Sequence, residues 1–408
     1  MDFELPAADD PRRIAVRDWV AANPKPSGRV LAEAGYVAPH WPAPWGLGAD
    51  PIHQLIIDDE LTTAGVRRPV NPIGIGWAGP TILYGGSDAQ RERYLAPILS
   101  GEEFWCQLFS EPGAGSDLAN LGTRAVLDGD EWVVNGQKIW TSGAQYAKFG
   151  ILIARTDPDV AKHKGVSYFV CPMDTPGIEI RPITEMTGGH TFNEVFFTDV
   201  RLPADHLVGA PNDGWRLAKV TLGNERISLS TGGVLWGSGP TLPDLLAAVR
   251  RPGAVTDPVM RQRLAALYTE HTVLDLIRLR TVSARLRGDQ PGPEASIRKI
   301  FADDHGQHVM NAAKDLLGAD GMLTGTAVDF VPGTETSALS PARPVGGLEH
   351  PGWHDGFLFS AALTIGGGTS EVQRNIVAER VLGLPHDSDP GAGLSWADAQ
   401  RLAAGRPA

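Results

Sequence analysis

Cysteine is scarce in this sequence, with only Cys106 and Cys171 among 408 residues. Two thiols do not make a disulfide framework, and their rarity is typical of a reducing compartment, so we expect a cytoplasmic protein. The first residues, MDFELPAADDPRR, contain no apolar segment, and we therefore expect no secretory signal. Uninterrupted apolar runs of bilayer-spanning length are also missing, so we expect no membrane association.

Positive charge is in short supply as well, because 36 Lys and Arg stand against 48 Asp and Glu and give a formal net charge of −12. This excess of negative charge argues against general binding to nucleic acid or to an anionic membrane. An anionic ligand would need a local basic site instead. No pattern predicts a metal site. The length predicts two or three domains of ordinary globular composition.

The spacing of apolar residues predicts three folded regions in the order α, β, α. We predict an α+β multidomain fold: an N-terminal α-helical domain, a middle antiparallel β-barrel or sandwich, and a C-terminal four-helix bundle. The predicted bounds are 1–105, 106–211 and 212–385, with a flexible tail at 386–408. Residues 323–350 are rich in Gly, Pro, Ser and Thr and predict a long irregular insertion whose role stays open.

One stretch, residues 109–142, combines a small-residue loop with a predicted hairpin. Gly113 and Gly115 let the loop backbone approach a ligand, and its N–H groups can form an anion-binding nest. The dipeptide Asn135-Gly136 predicts a type I′ turn, so that Trp140 and Ser142 follow at the end of a strand. An ordinary hairpin with a surface turn fits the same spacing.

These residues resemble a known family. The segments FSEPGAGSD, KIWTSGA and IGGGTSEVQRNIVAERVLG, in this order, are similar to motifs of the FAD-dependent acyl-CoA dehydrogenases. The resemblance covers roughly residues 10–385. It implies FAD as cofactor, an acyl-CoA substrate and an electron-transferring flavoprotein as acceptor. It also implies a homo-oligomer, a dimer or tetramer, with a hetero-oligomer as an open alternative.

The resemblance also assigns binding residues. For FAD it implies contacts from Leu108, Ser110, Gly115, Ser116, Trp140, Thr141, Ser142, Gly318, Thr369 and Glu371. For the acyl-CoA it implies contacts from Ser116, Arg226, Gly367 and Gly368. Two alternatives remain open on the residues alone: Trp140 as an ordinary core aromatic, and Ser370 with Gln373 as a capping box.

The general base departs from the commonest family pattern. Many members place a glutamate where this chain has Gly367, which has no side chain. The resemblance implies a substitute, Glu225, on the first helix of the bundle. At helical spacing Glu225 lies in line with Ala218, Leu222, Leu229 and Gly232, so it faces the interior, where desolvation raises a carboxyl pKa. A solvated glutamate or a buried ion-pair partner is the alternative.

A second departure concerns the FAD pyrophosphate. Family members carry an Arg-x-x-Phe-Gly segment, whereas this chain has Arg250-Arg251-Pro252-Gly253-Ala254, and either arginine could substitute. The leading hypothesis is α,β-dehydrogenation of an acyl-CoA to the trans-2-enoyl-CoA. Glycine at 366 and 367 leaves room for a branched or bulky acyl group. The alternatives are a non-catalytic FAD-binding partner subunit and a flavin oxidase or monooxygenase on the same fold.

Overall fold

The N-terminal region is helical in the computed structural model, which describes residues 6–230, 239–250, 255–286, 292–293, 295–322, 347–348, 350–388 and 391–405. Short polar side chains that cap the first turn begin most of these helices. The helices are α1 (Pro11–Ala22), α2 (Gly28–Glu33), α3 (Pro51–Thr63), α4 (Gly79–Gly85) and α5 (Asp88–Ser100). The last one ends at Gly101, whose left-handed φ of 75° closes the helix.

The middle region is one eight-stranded, mostly antiparallel sheet. Its strands are β1 (Trp105–Leu108), β2 (Arg124–Asp128), β3 (Glu131–Lys138), β4 (Phe149–Arg155), β5 (Val166–Pro172), β6 (Ile178–Pro182), β7 (Asn193–Pro203) and β8 (Leu207–Val208). The spatial order is β6-β7-β3-β2-β4-β5-β8, and β1 pairs in parallel with β4. Strand β4 is buried along its whole length, because one face meets the N-terminal helices and the other meets the rest of the β core.

The predicted hairpin turn at Asn135-Gly136 is wrong. Both residues lie inside β3, and the tight turn before this strand is at Gly129, where φ is 67°. Gly136 forms an irregularity in the pairing with β7, and a Cβ at this position would lie 2.4 Å from Oγ1 of Thr123. The glycine therefore serves close packing in a strand rather than a turn. The expectation that Trp140 and Ser142 follow a strand end holds, because β3 ends at Lys138.

Helices return after β8 and confirm the predicted α, β, α order. They are α6 (Gly214–Ser230), α7 (Leu242–Ala248), α8 (Pro258–Leu286), α9 (Ala295–Leu317), α10 (Gly352–Ser360) and α11 (Ser370–Ile376), which continues as a wider turn over Val377–Val381. Helix α9 is central, since it packs against α6, α8, α10 and α11. Gly232, Arg251, the side chain of Leu229 and the insertion at 323–346 lie outside the described residues.

The tail differs from the prediction of a flexible segment at 386–408. A helix, α12 (Trp396–Ala403), packs back onto the β region. The indole Nε1 of Trp396 donates to the Asn120 carbonyl at 3.3 Å, and the Arg155 guanidinium lies 4.9 Å from the centre of the Trp396 ring. The helix is capped by Ser395, and the backbone N–H groups of Trp396 and Ala397 donate to the carbonyls of residues 160 and 158 beside the β region.

No helix within the described ranges is long and apolar enough to cross a membrane.

Candidate active site

Glu225 lies where the three regions meet. Three hydroxyl groups fix α6 one turn earlier: Thr221 Oγ1 is 2.8 Å from Thr81 Oγ1 of α4 and 3.0 Å from the Tyr168 hydroxyl of β5. Residues 221 and 225 are four apart, so they share one face of the helix. From β1, the Gln107 amide donates to Oε2 of Glu225 at 3.2 Å. The predicted interior position of Glu225 agrees with its exposure of 8%.

Burial raises the pKa of the Glu225 carboxyl above its ordinary value. The hydrogen bond from Gln107 and the positive charges of Arg226 and Lys299 oppose this rise without cancelling it. A carboxyl whose pKa is moved toward neutrality is suited to remove a proton from carbon. The alternative of a solvated glutamate is excluded by this burial.

The loop at 110–117 is held by a buried ion pair. Lys138, with no exposed surface, donates to Oε1 of Glu111 at 2.7 Å and to the Phe109 carbonyl at 3.0 Å. Glu111 also accepts from the backbone N–H groups of Gly122 and Thr123. Burial acts to raise the pKa of Glu111, but Lys138 and these N–H donors hold it below its ordinary value. The carboxylate is therefore ionised and fixes the start of the loop.

Trp140 is not a core residue, since it is 57% exposed. Its φ of 61° lies in the left-handed region, where a bulky side chain is strained. The ring meets Phe192 edge-on at 5.9 Å and leaves most of its surface open. An exposed indole held in a strained conformation beside a glycine loop fits a platform for a planar ligand, so the interpretation as a core aromatic is excluded.

The remaining predicted loop residues divide into open and buried positions. Gly115 and Ser116 are exposed, and a Cβ added at Gly115 would meet no atom within 4 Å. Ser142 is half-buried, and Ser110 is half-buried with its carbonyl accepting from Ile139. In contrast, the side chains of Leu108 and Thr141 are buried. Any contact that these two make to a ligand in the open loop would therefore come from the backbone.

The glycine turn before α11 has two consecutive left-handed residues. The φ angles are 66° at Gly367 and 87° at Gly368, which favour glycine at both positions. The predicted capping box of Ser370 with Gln373 is wrong, because Thr369 caps the helix and the Gln373 amide instead donates to the Gly367 carbonyl at 3.0 Å. This hydrogen bond gives the Gly367 carbonyl a partner, because a left-handed turn leaves that carbonyl without a helical one.

The other predicted residues lie on the helices of the C-terminal region or at their ends. Arg226 is half-buried on α6, and burial lowers its pKa. Glu371 is exposed and pairs with Arg374 at 3.5 Å. Gly318, with a φ of 57°, ends α9 at an exposed position, and Arg250 is exposed after α7. No group of three or more potential metal-binding side chains clusters within the part of the chain that the structure describes.

Several buried polar atoms in these segments have no protein partner. Among the described residues they include Gln107 Oε1, Thr141 Oγ1, Ser370 Oγ and Gln373 Oε1. Buried polar atoms in native proteins are normally satisfied, so unpaired ones mark places where a polar ligand or water completes the structure. Together with the exposed Trp140 and the open Gly115, they fit a large planar cofactor with polar edges, as FAD is.

Two residues of the site were missed by the sequence analysis. Gln107 is the one amide in an otherwise apolar strand, and this isolated polar residue is a usable signal. Lys299 is buried on α9 and binds the turn before Gly367. Its spacing from Asp303 is the same as that of an ordinary surface ion pair, so nothing in the pattern indicates burial.

Three family models match the chain in sequence order. The acyl-CoA dehydrogenase N-terminal, middle and C-terminal domain models match residues 12–102, 106–200 and 212–382.

Two of the curated relatives from Mycobacterium tuberculosis match most of this chain. The acyl-CoA dehydrogenase FadE34 is 42% identical over 90% of this chain, which spans only 47% of the length of FadE34. The acyl-CoA dehydrogenase IpdE1 is 40% identical over 88% of this chain and 87% of its own length. The solved structure of "Tcur3481-Tcur3483 steroid ACAD" is 29% identical and superposes with a TM-score of 0.74, over 95% of this chain and 100% of its own.

Proposed function

The chain belongs to the acyl-CoA dehydrogenase family of FAD-dependent enzymes, and from this premise we propose that it desaturates an acyl-CoA thioester between Cα and Cβ with Glu225 as the base. The observation that carries the proposal is the buried carboxyl of Glu225 at the junction of the three regions, with a raised pKa. At Gly367, the commoner family position, no side chain can accept a proton.

Each group has one task in this reaction. Glu225 takes the proton from Cα, and the electron pair of that C–H bond becomes the new double bond as hydride leaves Cβ. FAD, when bound, accepts this hydride. The Gly367 N–H donates to the thioester carbonyl, which acidifies the α-proton. The half-buried Arg226 binds the CoA, and Ser116 and Gly368 line the substrate channel.

The acyl group is branched or bulky in our proposal. Gly366 and Gly367 carry no side chain beside the thioester position, so the turn leaves space where other members have a glutamate. The name of one structural relative, "steroid ACAD", supports a ring-bearing acyl chain. A polycyclic acyl-CoA is therefore the first candidate substrate.

An anaerobic titration with a panel of acyl-CoAs tests the function. Bleaching of the oxidised flavin band reports hydrogen removal from the substrate. We expect bleaching with ring-bearing or branched acyl-CoAs at lower concentration and higher rate than with butyryl-CoA. Faster bleaching with butyryl-CoA would contradict the bulky-substrate proposal, and no bleaching with any acyl-CoA would favour the non-catalytic partner subunit.

The electron acceptor in our proposal is an electron-transferring flavoprotein, as in the family. The alternative of an oxidase or monooxygenase predicts rapid reoxidation by oxygen. After reduction by substrate, we expect the flavin to reoxidise slowly in air and rapidly with an electron-transferring flavoprotein. The reverse order of rates would support the alternative.

We also propose that a second copy of the chain covers an apolar groove on the bundle. The groove has a volume of about 430 Å³ and is not lined by Glu225. It lies between α8, α9 and the turn after α11, and its exposed apolar lining residues are Val273, Ile297 and Leu382. An exposed apolar groove of this kind is typical of a subunit interface. The two-protein name of the steroid relative keeps a hetero-oligomer as the alternative.

Light scattering on the purified protein tests this interface. We expect a dimer or tetramer for the wild type and dissociation for Leu382→Asp. Leu47→Asp is the matched control, because Leu47 is an exposed leucine in the N-terminal region. A monomeric wild type would contradict the homo-oligomer.

A further inference from the structure

Lys299 is a fully buried lysine with all three of its ammonium protons in use. It donates to Oδ2 of Asp303 at 2.6 Å, to the Leu363 carbonyl at 2.9 Å and to the Gly366 carbonyl at 2.8 Å. A buried ammonium loses its hydration, and a buried ion pair that is replaced as a whole by apolar residues of similar volume often leaves the protein as stable. A buried lysine that binds one carboxylate and two turn carbonyls therefore points to a role in that turn.

The bond to Gly366 orients the peptide that follows it. In a planar trans peptide the N–H points away from the preceding C=O, so the Gly367 N–H is directed away from Lys299. No described residue accepts a hydrogen bond from this N–H. The next peptide is fixed in the same way, because Gln373 donates to the Gly367 carbonyl at 3.0 Å. The turn is thus held from the protein side and keeps the Gly367 N–H available to a ligand.

The charge of Lys299 also reaches the base. Among the residues that the structure describes, Arg226 on the same helix and Lys299 on α9 are charged groups that act on Glu225, and both favour the ionised carboxylate. Asp303 neutralises part of the Lys299 charge, and Arg380 from the turn after α11 acts on Arg226. Gln107 is the neutral donor from β1. One buried ammonium is therefore shared between the glycine turn and the environment of the base.

We propose that Lys299 is a positioning residue for the reaction, which holds the Gly366–Gly367 peptide for the thioester carbonyl and sets the electrostatic field at Glu225. This inference rests on the proposed function of Glu225 as the base. It predicts that Lys299 and Asp303, although they form one ion pair, have opposite effects on the base.

The test compares Lys299→Met with Asp303→Asn by stopped-flow flavin reduction across a pH series. Both variants break the same buried pair, so both lose stability. Without the ammonium, the acid limb of the rate profile moves to higher pH, because the ionised Glu225 has lost a favourable charge. Without the carboxylate, Lys299 keeps its two carbonyl partners and its charge, so the limb moves to lower pH. We expect each shift to reach at least about 0.5 pH unit.

Lys299→Arg is the conservative variant, and it restores the wild-type limb if the charge is what matters. In a Glu225→Gln background, where substrate is not consumed, Lys299→Met weakens acyl-CoA binding several-fold if the turn positions the thioester. Limbs that do not move, or that move in the same direction, overturn the proposal. Should Lys299→Met fail to fold, Asp303→Asn alone must still move the limb to lower pH.

The failure of the proposed function looks different. If Glu225→Gln reduces flavin as fast as the wild type, the base assignment itself falls. If Glu225→Gln is inactive while the Lys299 and Asp303 variants leave the limb unmoved, only the role of Lys299 falls.

Discussion

Two buried lysines hold the two glycine-rich segments of the site, and they do so by the same chemistry. Lys138 binds Glu111 and the Phe109 carbonyl at the loop of the β region. Lys299 binds Asp303 and two carbonyls at the turn of the helical bundle. Both side chains have no exposed surface. A buried ion pair contributes little net stability compared with apolar packing, so each pair is better understood as a means of fixing a loop.

The two lysines differ in whether their charge acts on the Glu225 carboxyl. The charges that act on the Glu225 carboxyl include Lys299 but not Lys138. We therefore expect Lys138 to matter for cofactor retention and Lys299 for the titration of the base. A buried lysine bound to a carboxylate and to backbone carbonyls can thus hold a loop that only binds a ligand. The same arrangement can also hold a turn and change the pKa of a reacting group.

The largest expected effect belongs to Lys138→Met, which leaves the Glu111 carboxylate buried without its ammonium. We expect the free energy of unfolding to fall by about 3–5 kcal/mol. FAD per chain should fall with it. Chemical denaturation and the flavin-to-protein absorbance ratio measure both. Lys148→Met is the control, because its pair with Asp174 is exposed and should cost less than about 1 kcal/mol. Equal effects of the two variants would remove the distinction between buried and exposed pairs.

A smaller effect tests whether helix α12 of the tail stabilises the segment that binds Glu111, the partner of Lys138. Trp396 packs over Arg155 and donates a hydrogen bond to the Asn120 carbonyl. Shortly after Asn120 in the same segment, backbone N–H groups donate to the Glu111 carboxylate. Trp396→Ala should destabilise this segment by about 1–2 kcal/mol. Hydrogen exchange of residues 118–123 should then become faster. Leu402→Ala, at an exposed position on the same helix, should leave it unchanged. Unchanged hydrogen exchange in Trp396→Ala would mean that helix α12 does not stabilise this segment.

The raised pKa of Glu225 also affects the stability of the protein. Because burial raises the pKa of Glu225, the folded state holds its proton at pH values where the unfolded chain has lost it. The free energy of unfolding therefore falls as pH rises through this window. Glu225→Gln should consequently be more stable than the wild type at neutral pH, with the gain disappearing below the ordinary carboxyl pKa. Denaturation at several pH values measures this, and a gain that grows toward low pH would contradict a raised pKa.

The smallest expected effect separates the hydrogen bond at the base from its charges. Gln107→Leu removes the donor to Oε2 of Glu225, which favours the ionised form. The acid limb of flavin reduction should move to higher pH, with little change in the amount of FAD bound. Gln137→Leu is the matched control, because this glutamine donates to Glu194 on the sheet. Equal shifts in both variants would show that the effect is not local to the base.

The sequence predicted the regular parts well, since they follow local rules. The strands 132–134, 149–153, 168–170 and 195–197 and the three-region order agree with the structure, because alternation and helical spacing report burial directly. The turn at Asn135-Gly136 failed, since a glycine that admits Thr123 looks the same in sequence as one that turns the chain. Ser370 failed as the helix cap because Thr369, one residue earlier, is an equally good one.

Helical spacing alone predicted the burial of Glu225, which the structure confirms. The roles of Glu225 as base and of Trp140 as a cofactor platform came from the family resemblance and stay predictions. Lys299 and Gln107 do not identify themselves, since their roles depend on which carbonyl or carboxylate lies opposite after folding. Long-range partners of this kind follow from tertiary packing rather than from spacing along the chain.

The most direct test of the central claim is the rate of anaerobic flavin reduction by a saturating acyl-CoA in Glu225→Gln, with Asn224→Ala as the control. Asn224 neighbours the base on α6, and within the described part of the chain its side chain bonds only to the Val220 carbonyl of the same helix. If Glu225 is the base, Glu225→Gln binds FAD and acyl-CoA but loses about 10²- to 10⁴-fold in rate, whereas Asn224→Ala stays near the wild type. A Glu225→Gln variant that bleaches at the wild-type rate would contradict the account.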